Sequence, residues 1–449
     1  MDHQATPRHA GARFALKGAL WLLVYVGLVF QPIGLLLVGP RPAGREFLRE
    51  LSVGLAFAGA AILMLQFALT ARFRRIKAPY GIDLVYHFHR EISYVALGLI
   101  VAHPVLLFVL DTAYLALLNP LAAPWRARFA VAAVVATIAI ILTSVFRKRW
   151  RIQYETWRYL HGALAIAVVA FAIAHIEGVG HYVNAPWKRV LWIAYPGLWV
   201  GLLLYVGAVR PRRLTRRHWV VDAVRPERGG AWSLDLHADG HAGLRFAPGQ
   251  FGWLTLADSP YRRREHPFSF SSSATHGDRV TLTIKEAGDF TANIGTTPPG
   301  AVAYLDGPYG HFSLDRHRAP AYVFIAGGIG ITPIMSMLRT MADRGDRRRA
   351  LLIDVNRDLE SIIFREELEA VGTSLDLEVV HVLTQPEPGW AGPQGRPTPE
   401  SLLSLLPPDH LARDYFICGP GPLMDLAEST LLTHGIHFRQ VHSERFDLV

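Results

Sequence analysis

Six apolar segments, each close to the ~20 residues that a helix needs to cross a ~30 Å hydrocarbon core, rule out an ordinary water-soluble fold for the first half of this sequence. They cover about 18–38, 47–69, 88–110, 127–146, 159–176 and 188–209. The first follows Arg8, Arg13 and Lys17 as a secretory leader would, but it is longer than a leader's apolar region and no small-residue cleavage site follows. A retained helix is expected. Composition agrees: 51% of the 449 residues are hydrophobic, too many for the roughly three soluble domains this length would otherwise imply.

The formal net charge of +9 is not spread evenly. It gathers beside the apolar runs, at Arg72, Arg74, Arg75 and Lys77, at Arg147, Lys148, Arg149 and Arg151, and at Arg210, Arg212, Arg213, Arg216 and Arg217. Basic loops stay on the cytoplasmic face, so the N-terminus, the 70–86 and 147–158 loops and everything after 210 are placed there. A multi-pass protein of the cell (inner) membrane is expected, with both termini cytoplasmic, a lipid bilayer as partner and no nucleic acid. In the last outer loop, Trp187 and Lys188 read as membrane-surface anchors. Cys418 is the sole cysteine, which excludes an intrachain disulfide, an iron–sulfur cluster held by this chain alone and a covalently attached c-type haem.

Histidines interrupt two of the spans. The third carries HFHREISYVALGLIVAH (87–103) and the fifth HGALAIAVVAFAIAH (161–175). An imidazole in hydrocarbon must find a partner or cost several kcal/mol. His89 to His103 and His161 to His175 are both spaced by fourteen residues, a rise of ~21 Å that returns to within ~40° of the same helix face. The two spans run in the same direction, so His89 meets His161 at one depth and His103 meets His175 at another. Two facing imidazoles suit a six-coordinate haem; two b-type haems, with these four histidines as metal ligands, are expected. His87 falls on another face, at the interface. His181 is open between the outer surface and an acceptor pocket. Interhelical hydrogen bonding, or a proton or metal-ion pathway without haem, is the alternative use of such histidines.

From about residue 216 strand-like stretches alternate with Gly and Pro, as in an antiparallel barrel. APGQFGWLTL (247–256), HPFSFSSSA (266–274), TLTIKEAGDFT (281–291) and LDGPYGHF (305–312) follow in order. AYVFIAGGIGITPIMSMLRTM (321–341) then reads as strand, glycine turn and helix, the arrangement that lays backbone N–H groups on a dinucleotide pyrophosphate. ALLIDVN, LEVVHVLTQ and DYFICGP read as further parallel strands.

On these motifs the chain resembles flavoproteins of the ferredoxin–NADP reductase type. The His-Pro-Phe form of the flavin motif is similar to that of NADPH oxidases and ferric reductases, and the resemblance extends to the membrane helices. It implies three domains: a six-helix haem-binding domain at 1–212, an FAD-binding β-barrel at 213–318 and an α/β doubly wound NAD(P)H-binding domain at 319–449. It implies that His266, Pro267, Phe268 and Ser269 line the flavin, with Ser269 at N5, and that Lys285, Gly288 and Thr291 hold the FAD pyrophosphate. Gly327, Gly328, Gly330, Thr332 and Pro333 would form the nucleotide turn. Cys418, Gly419 and Pro420 would lie at the nicotinamide, and Phe446 would shield the flavin. Arg357 stands where a guanidinium meets an adenosine 2′-phosphate, which favours NADPH over NADH. The order of parts implies a transmembrane oxidoreductase carrying electrons from NAD(P)H through FAD and two haems to oxygen, ferric iron or a periplasmic redox partner.

Overall fold

The computed structural model describes residues 7–39, 42–70, 82–262 and 264–445. The chain divides into two compact units that meet in sequence at Val209 and Arg210.

The first unit consists of α1 (Pro7–Leu36), α2 (Phe47–Thr70), α3 (Ile82–Leu110), α4 (Trp125–Val145), α5 (Tyr154–Val179) and α6 (Pro186–Leu204). All six are long and apolar enough to cross a membrane. Small side chains bring neighbours together, as lipid gives little hydrophobic reason for helices to associate: Ala58 and Ile62 of α2 pack with Ala96 of α3. Rings fill the gap between α2 and α6, with Phe57 and Trp192 at 4.9 Å and Phe67 and Trp199 at 4.0 Å between ring centres. The Trp199 indole N–H donates to the Met64 carbonyl at 2.8 Å, as a polar tip inside hydrocarbon requires. Lys188 departs from its expected place. It is 2% exposed, and its ammonium donates to the Leu36 carbonyl at 2.8 Å, satisfying an orphan acceptor at the end of α1; Trp187 remains 40% exposed, as an anchor should be.

The second unit opens with α7 (Arg210–Thr215) and continues as β1 (Trp219–Glu227), β2 (Ala231–Ala238), β3 (Phe251–Leu256), β4 (His266–Ser269), β5 (Arg279–Lys285) and β6 (Val302–Tyr309). These strands form an antiparallel sheet in the order β4-β3-β6-β1-β2-β5, around a core that includes Leu234, Leu254, Phe270 and Leu282. Then come β7 (Ala321–Gly327), α8 (Ile331–Asp343), β8 (Arg349–Asn356), α9 (Arg365–Ser374), β9 (Leu377–Leu383), α10 (Pro399–Ser404), β10 (Asp414–Cys418), α11 (Gly421–Thr433) and β11 (Val441–Ser443). All five strands are parallel, in the order β11-β10-β7-β8-β9. The chain leaves β7 toward β8 on one side and returns to β10 on the other. That reversal makes the carboxyl ends of β7 and β10 the crevice where doubly wound sheets bind their ligands.

Arg210 also differs from its reading as one of a solvated basic cluster. It is 8% exposed, and its Nη2 donates to both carboxylate oxygens of Glu265, at 2.9 and 2.8 Å. Its Nε lies 3.6 Å from Asp306, which accepts from the Tyr309 hydroxyl at 3.0 Å. Removing one partner of a buried pair leaves a desolvated charge and costs about 3–5 kcal/mol. Arg210→Met should therefore lower the unfolding midpoint of the purified protein clearly, while the exposed Arg212→Met should leave it unchanged in the same thermal melt.

His317 supplies a pH-dependent element. Its ring lies 3.6 Å from that of His442, and His442 is 3.3 Å from Asp414. Burial first, and the neighbouring His442 second, push His317 down to about 4. The unfolded chain therefore takes up this proton before the folded one as pH falls. The second unit should lose stability as pH drops from about 6.5 toward 4, and His317→Phe should flatten that part of a stability–pH curve.

Candidate functional site

The four spaced histidines of α3 and α5 come together in the pairs their spacing predicts. Ring centres lie 6.4 Å apart for His89 and His161 and 6.5 Å for His103 and His175. Two metal–imidazole bonds of about 2.0 Å, each extended by about 1.15 Å to its ring centre, sum to roughly 6.3 Å. The gap within each pair thus fits bis-imidazole coordination.

The tautomers follow from the neighbours. His89 Nδ1 is 2.8 Å from Gln66 Oε1, and His175 Nδ1 is 2.9 Å from the Arg126 carbonyl; both partners can only accept. Ser52 Oγ spends its proton on the Arg49 carbonyl at 2.9 Å, so it accepts from His103 Nδ1 at 3.2 Å. Ser144 Oγ likewise donates to the Ile140 carbonyl at 2.6 Å and accepts from His161 Nδ1 at 3.2 Å. All four Nδ1 atoms are donors. Every Nε2 keeps its lone pair, the state a metal ligand needs. None of these four partners was marked by the sequence reading, because Ser and Gln in a span are ordinary until the facing residue is known. His87 is exposed and lies 3.1 Å from Arg90, away from both pairs.

In the second unit β4 carries HPFS along β3, with Phe268 opposite Gly252 and Ser269 opposite Phe251. Ser269 is 5% exposed. Phe290, which the motif reading passed over, stacks on His266 at 4.0 Å and lies parallel to Phe268 at 6.1 Å. Lys285 and Gly288 are exposed. The Thr291 hydroxyl accepts from the N–H groups of Ala287 and Gly288 at 2.8 and 2.9 Å, so it shapes the loop that presents them. Gln250 ties this region to the next motif: its Oε1 accepts from Ala247 N–H at 2.8 Å and its Nε2 donates to the Gly310 carbonyl at 2.9 Å.

At the switch point the two glycine turns pack backbone to backbone. A Cβ on Gly330 would lie 2.2 Å from the Cys418 carbonyl oxygen, and one on Gly327 would lie 2.7 Å from Leu423. Gly328 is different. It has φ +53° and nothing within 4 Å of a built Cβ, so it is the open position where a pyrophosphate can approach the backbone at the start of α8. Thr332 and Pro333 are buried in the first turn of α8, with the Thr332 hydroxyl donating to the Ile329 carbonyl at 3.0 Å. Gly419 faces Gly327, 3.0 Å from its amide nitrogen to a built Cβ, and Pro420 precedes α11. Arg357 is exposed and pairs with Asp358 at 2.8 Å, a contact a 2′-phosphate must compete with.

Cys418 is buried, and burial first, then the nearby Glu444 carboxylate, push its thiol far up. It is a neutral thiol rather than a nucleophile. Glu444 was not singled out in the sequence. It also reaches the DGPYG turn, where a Cβ on Gly310 would lie 2.8 Å from its Oε1. Glu444, just after the final strand, therefore lies between Cys418 and the Gly310 turn. Phe446 lies outside the described residues.

A dinucleotide crevice beside a flavin-motif β-domain, on a chain with six helices long and apolar enough to cross a membrane, is the architecture of an oxidoreductase-type module on a membrane protein. Residues 55–172 match the family described as ferric reductase like transmembrane component, and residues 324–429 match the oxidoreductase NAD-binding domain. The chain thus joins a region like the ferric reductase transmembrane component to one like the oxidoreductase NAD-binding domain. It is 28% identical to the stachydrine N-demethylase reductase subunit of Rhizobium meliloti over 49% of this chain and 64% of that protein. It is 33% identical to the ferredoxin reductase component of 3-ketosteroid-9-alpha-monooxygenase from Mycolicibacterium smegmatis, over 45% of this chain and 56% of that one. The chain thus matches little more than half the length of such relatives. Among solved structures, the FAD/NAD-binding domain of nitric oxide dioxygenase from Vibrio cholerae aligns with 51% of this chain and 98% of its own, at 23% identity and a TM-score of 0.46.

Two glycines of the first turn predict different phenotypes. Gly330→Ala should destabilise the protein, because the Cys418 carbonyl stands in the way. Gly328→Leu, strained by about 1–2 kcal/mol through its φ of +53°, should retain FAD but raise KM for NAD(P)H at least tenfold, as seen in dye-reduction kinetics.

Proposed function

We propose that the protein carries electrons from cytoplasmic NADPH across the membrane, through FAD and two b-type haems, to oxygen or ferric iron outside. The observation that carries this reading is the pair of matched imidazole gaps with all four Nδ1 atoms already engaged. A proton pathway would need ring nitrogens linked from one level to the next. Here each Nδ1 is tied to its own acceptor.

His89 and His161 would hold the inner haem, His103 and His175 the outer one. A flavin accepts hydride and can release single electrons, which haem iron accepts one at a time. Phe268 and Phe290 would wall the isoalloxazine, and Ser269 would offer its hydroxyl toward N5. Lys285, Gly288 and Thr291 would hold the FAD pyrophosphate, with Thr291 fixing the loop through its bonds to the Ala287 and Gly288 N–H groups. Gly328 admits the nucleotide pyrophosphate, Cys418 bounds the nicotinamide with a small neutral group, and Arg357 favours NADPH. Phe446 shields the flavin between turnovers. The three-domain division at 213 and 319 and the cytoplasmic placing of both termini belong to the same reading, and the basic loops support it. Each electron moved outward from a negative interior is helped by ~2.3 kcal/mol per 100 mV.

Purified protein should show a haem Soret band, and its absence would falsify the electron route. Replacing His103 or His175 by Ala should remove about half of that absorbance; with His161→Ala, NADPH should still reduce a soluble dye while reduction at the outer face stops. Outer-face reduction at the native rate in a His161 variant lacking its inner haem would rule out the proposed order.

A further inference from the structure

One group of side chains in the second unit takes no part in the route above. His317 belongs to the segment that joins β6 to β7, Asp414 opens β10, and His442 is the middle residue of β11. Each offers one ligand atom, and the three atoms lie within 4.8 Å of one another. His442 Nε2 and Asp414 Oδ2 are already 3.3 Å apart. The His317 ring lies 3.6 Å from that of His442 between centres. Among the described residues no other three His, Cys, Asp or Glu groups converge in this way.

Phe416, fully buried, floors this group: its ring centre is 5.7 Å from that of His317 and 4.9 Å from that of His442. An apolar floor keeps water from competing on that side. The three ligand side chains are themselves half-buried, so an ion can reach them from solvent. Two imidazoles and one carboxylate are a donor set that zinc accepts, with a fourth position left for water. Tetrahedral zinc, with bonds of about 2.0–2.2 Å, holds its ligand atoms roughly 3.3 Å apart. His442 and Asp414 meet that spacing, and the ion would take the place of the hydrogen bond between them. His317 completes the set by moving its ligand atom about 1.5 Å at most, within the reach of a side-chain rotation.

We propose that His317, Asp414 and His442 form a zinc site that pins the last strand to the rest of the parallel sheet. β11 has three residues and pairs only with β10, at the edge of that sheet. A strand with so few backbone bonds opens readily. An ion on His442 ties it to β10 through Asp414 and to the connection between β6 and β7 through His317. Glu444 follows His442 by two residues and stands near the Cys418 thiol. The same clamp therefore steadies the segment that carries this carboxylate. The site is independent of the haems and of the electron route.

The test uses the full chain in detergent, without a histidine tag and stripped of metal by a chelator that is then removed. Zinc chloride is titrated by calorimetry into wild type, His317→Gln, Asp414→Asn and His442→Gln. His237→Gln serves as control, since that histidine lies 2.6 Å from Asp222 elsewhere in the second unit. Wild type and the control should bind one zinc ion that each of the three site variants binds at least tenfold more weakly. Asp414→Asn nearly keeps the shape of the side chain, so its circular dichroism without metal should match wild type and separate lost ligation from lost folding. Hydrogen exchange gives a second reading: zinc should slow exchange across 441–444 at least tenfold in wild type and leave it unchanged in the variants. Wild type that binds no zinc at micromolar concentration, or zinc affinity that survives all three substitutions, would overturn the site. So would an effect of His442→Gln alone, which would leave only the pair with Asp414.

Discussion

Hydrocarbon tolerates no unpaired polar group, and the first unit is arranged around that rule. Four imidazoles sit on two apolar helices, each with one nitrogen tied to an acceptor supplied by the protein. Gln66, Ser52, Ser144 and the Arg126 carbonyl come from α2 and α4, the helices beside the two that carry the rings. These bonds fix ring orientation as well as tautomer. The bundle itself thus supplies the second partner of every ring.

The second unit solves a different problem with backbone in place of side chains. Its nucleotide crevice exists because the turns after β7 and β10 can touch, and they touch because both are glycine where they meet. One glycine in the first turn is spared from packing and remains available. Within a few residues the same motif supplies both the tight joint and the opening beside it.

Much of this was legible in the sequence. Span number and the histidine pairing follow from length and helical period, which depend only on local geometry. Flavin and nucleotide motifs were readable because each joins a strand to a turn with few alternatives. Contacts set by distant partners were not. Arg210 reads as one more basic residue until Glu265 and Asp306 arrive from β-strand neighbours, and Lys188 reads as an anchor until the end of α1 is found above it. Glu444 lies between Cys418 and Gly310 only because β11 joins the sheet beside β10. No local pattern announces such a residue.

The fourteen-residue interval also limits how these helices can change over time. One residue inserted between His161 and His175 would turn one ring by ~100° and lift it by ~1.5 Å, taking it off its partner on α3. Substitutions among the intervening Ala, Val and Ile residues change only packing. Descendants of this chain are free to vary the composition of α3 and α5, while the length of each between its histidines is held constant by the other.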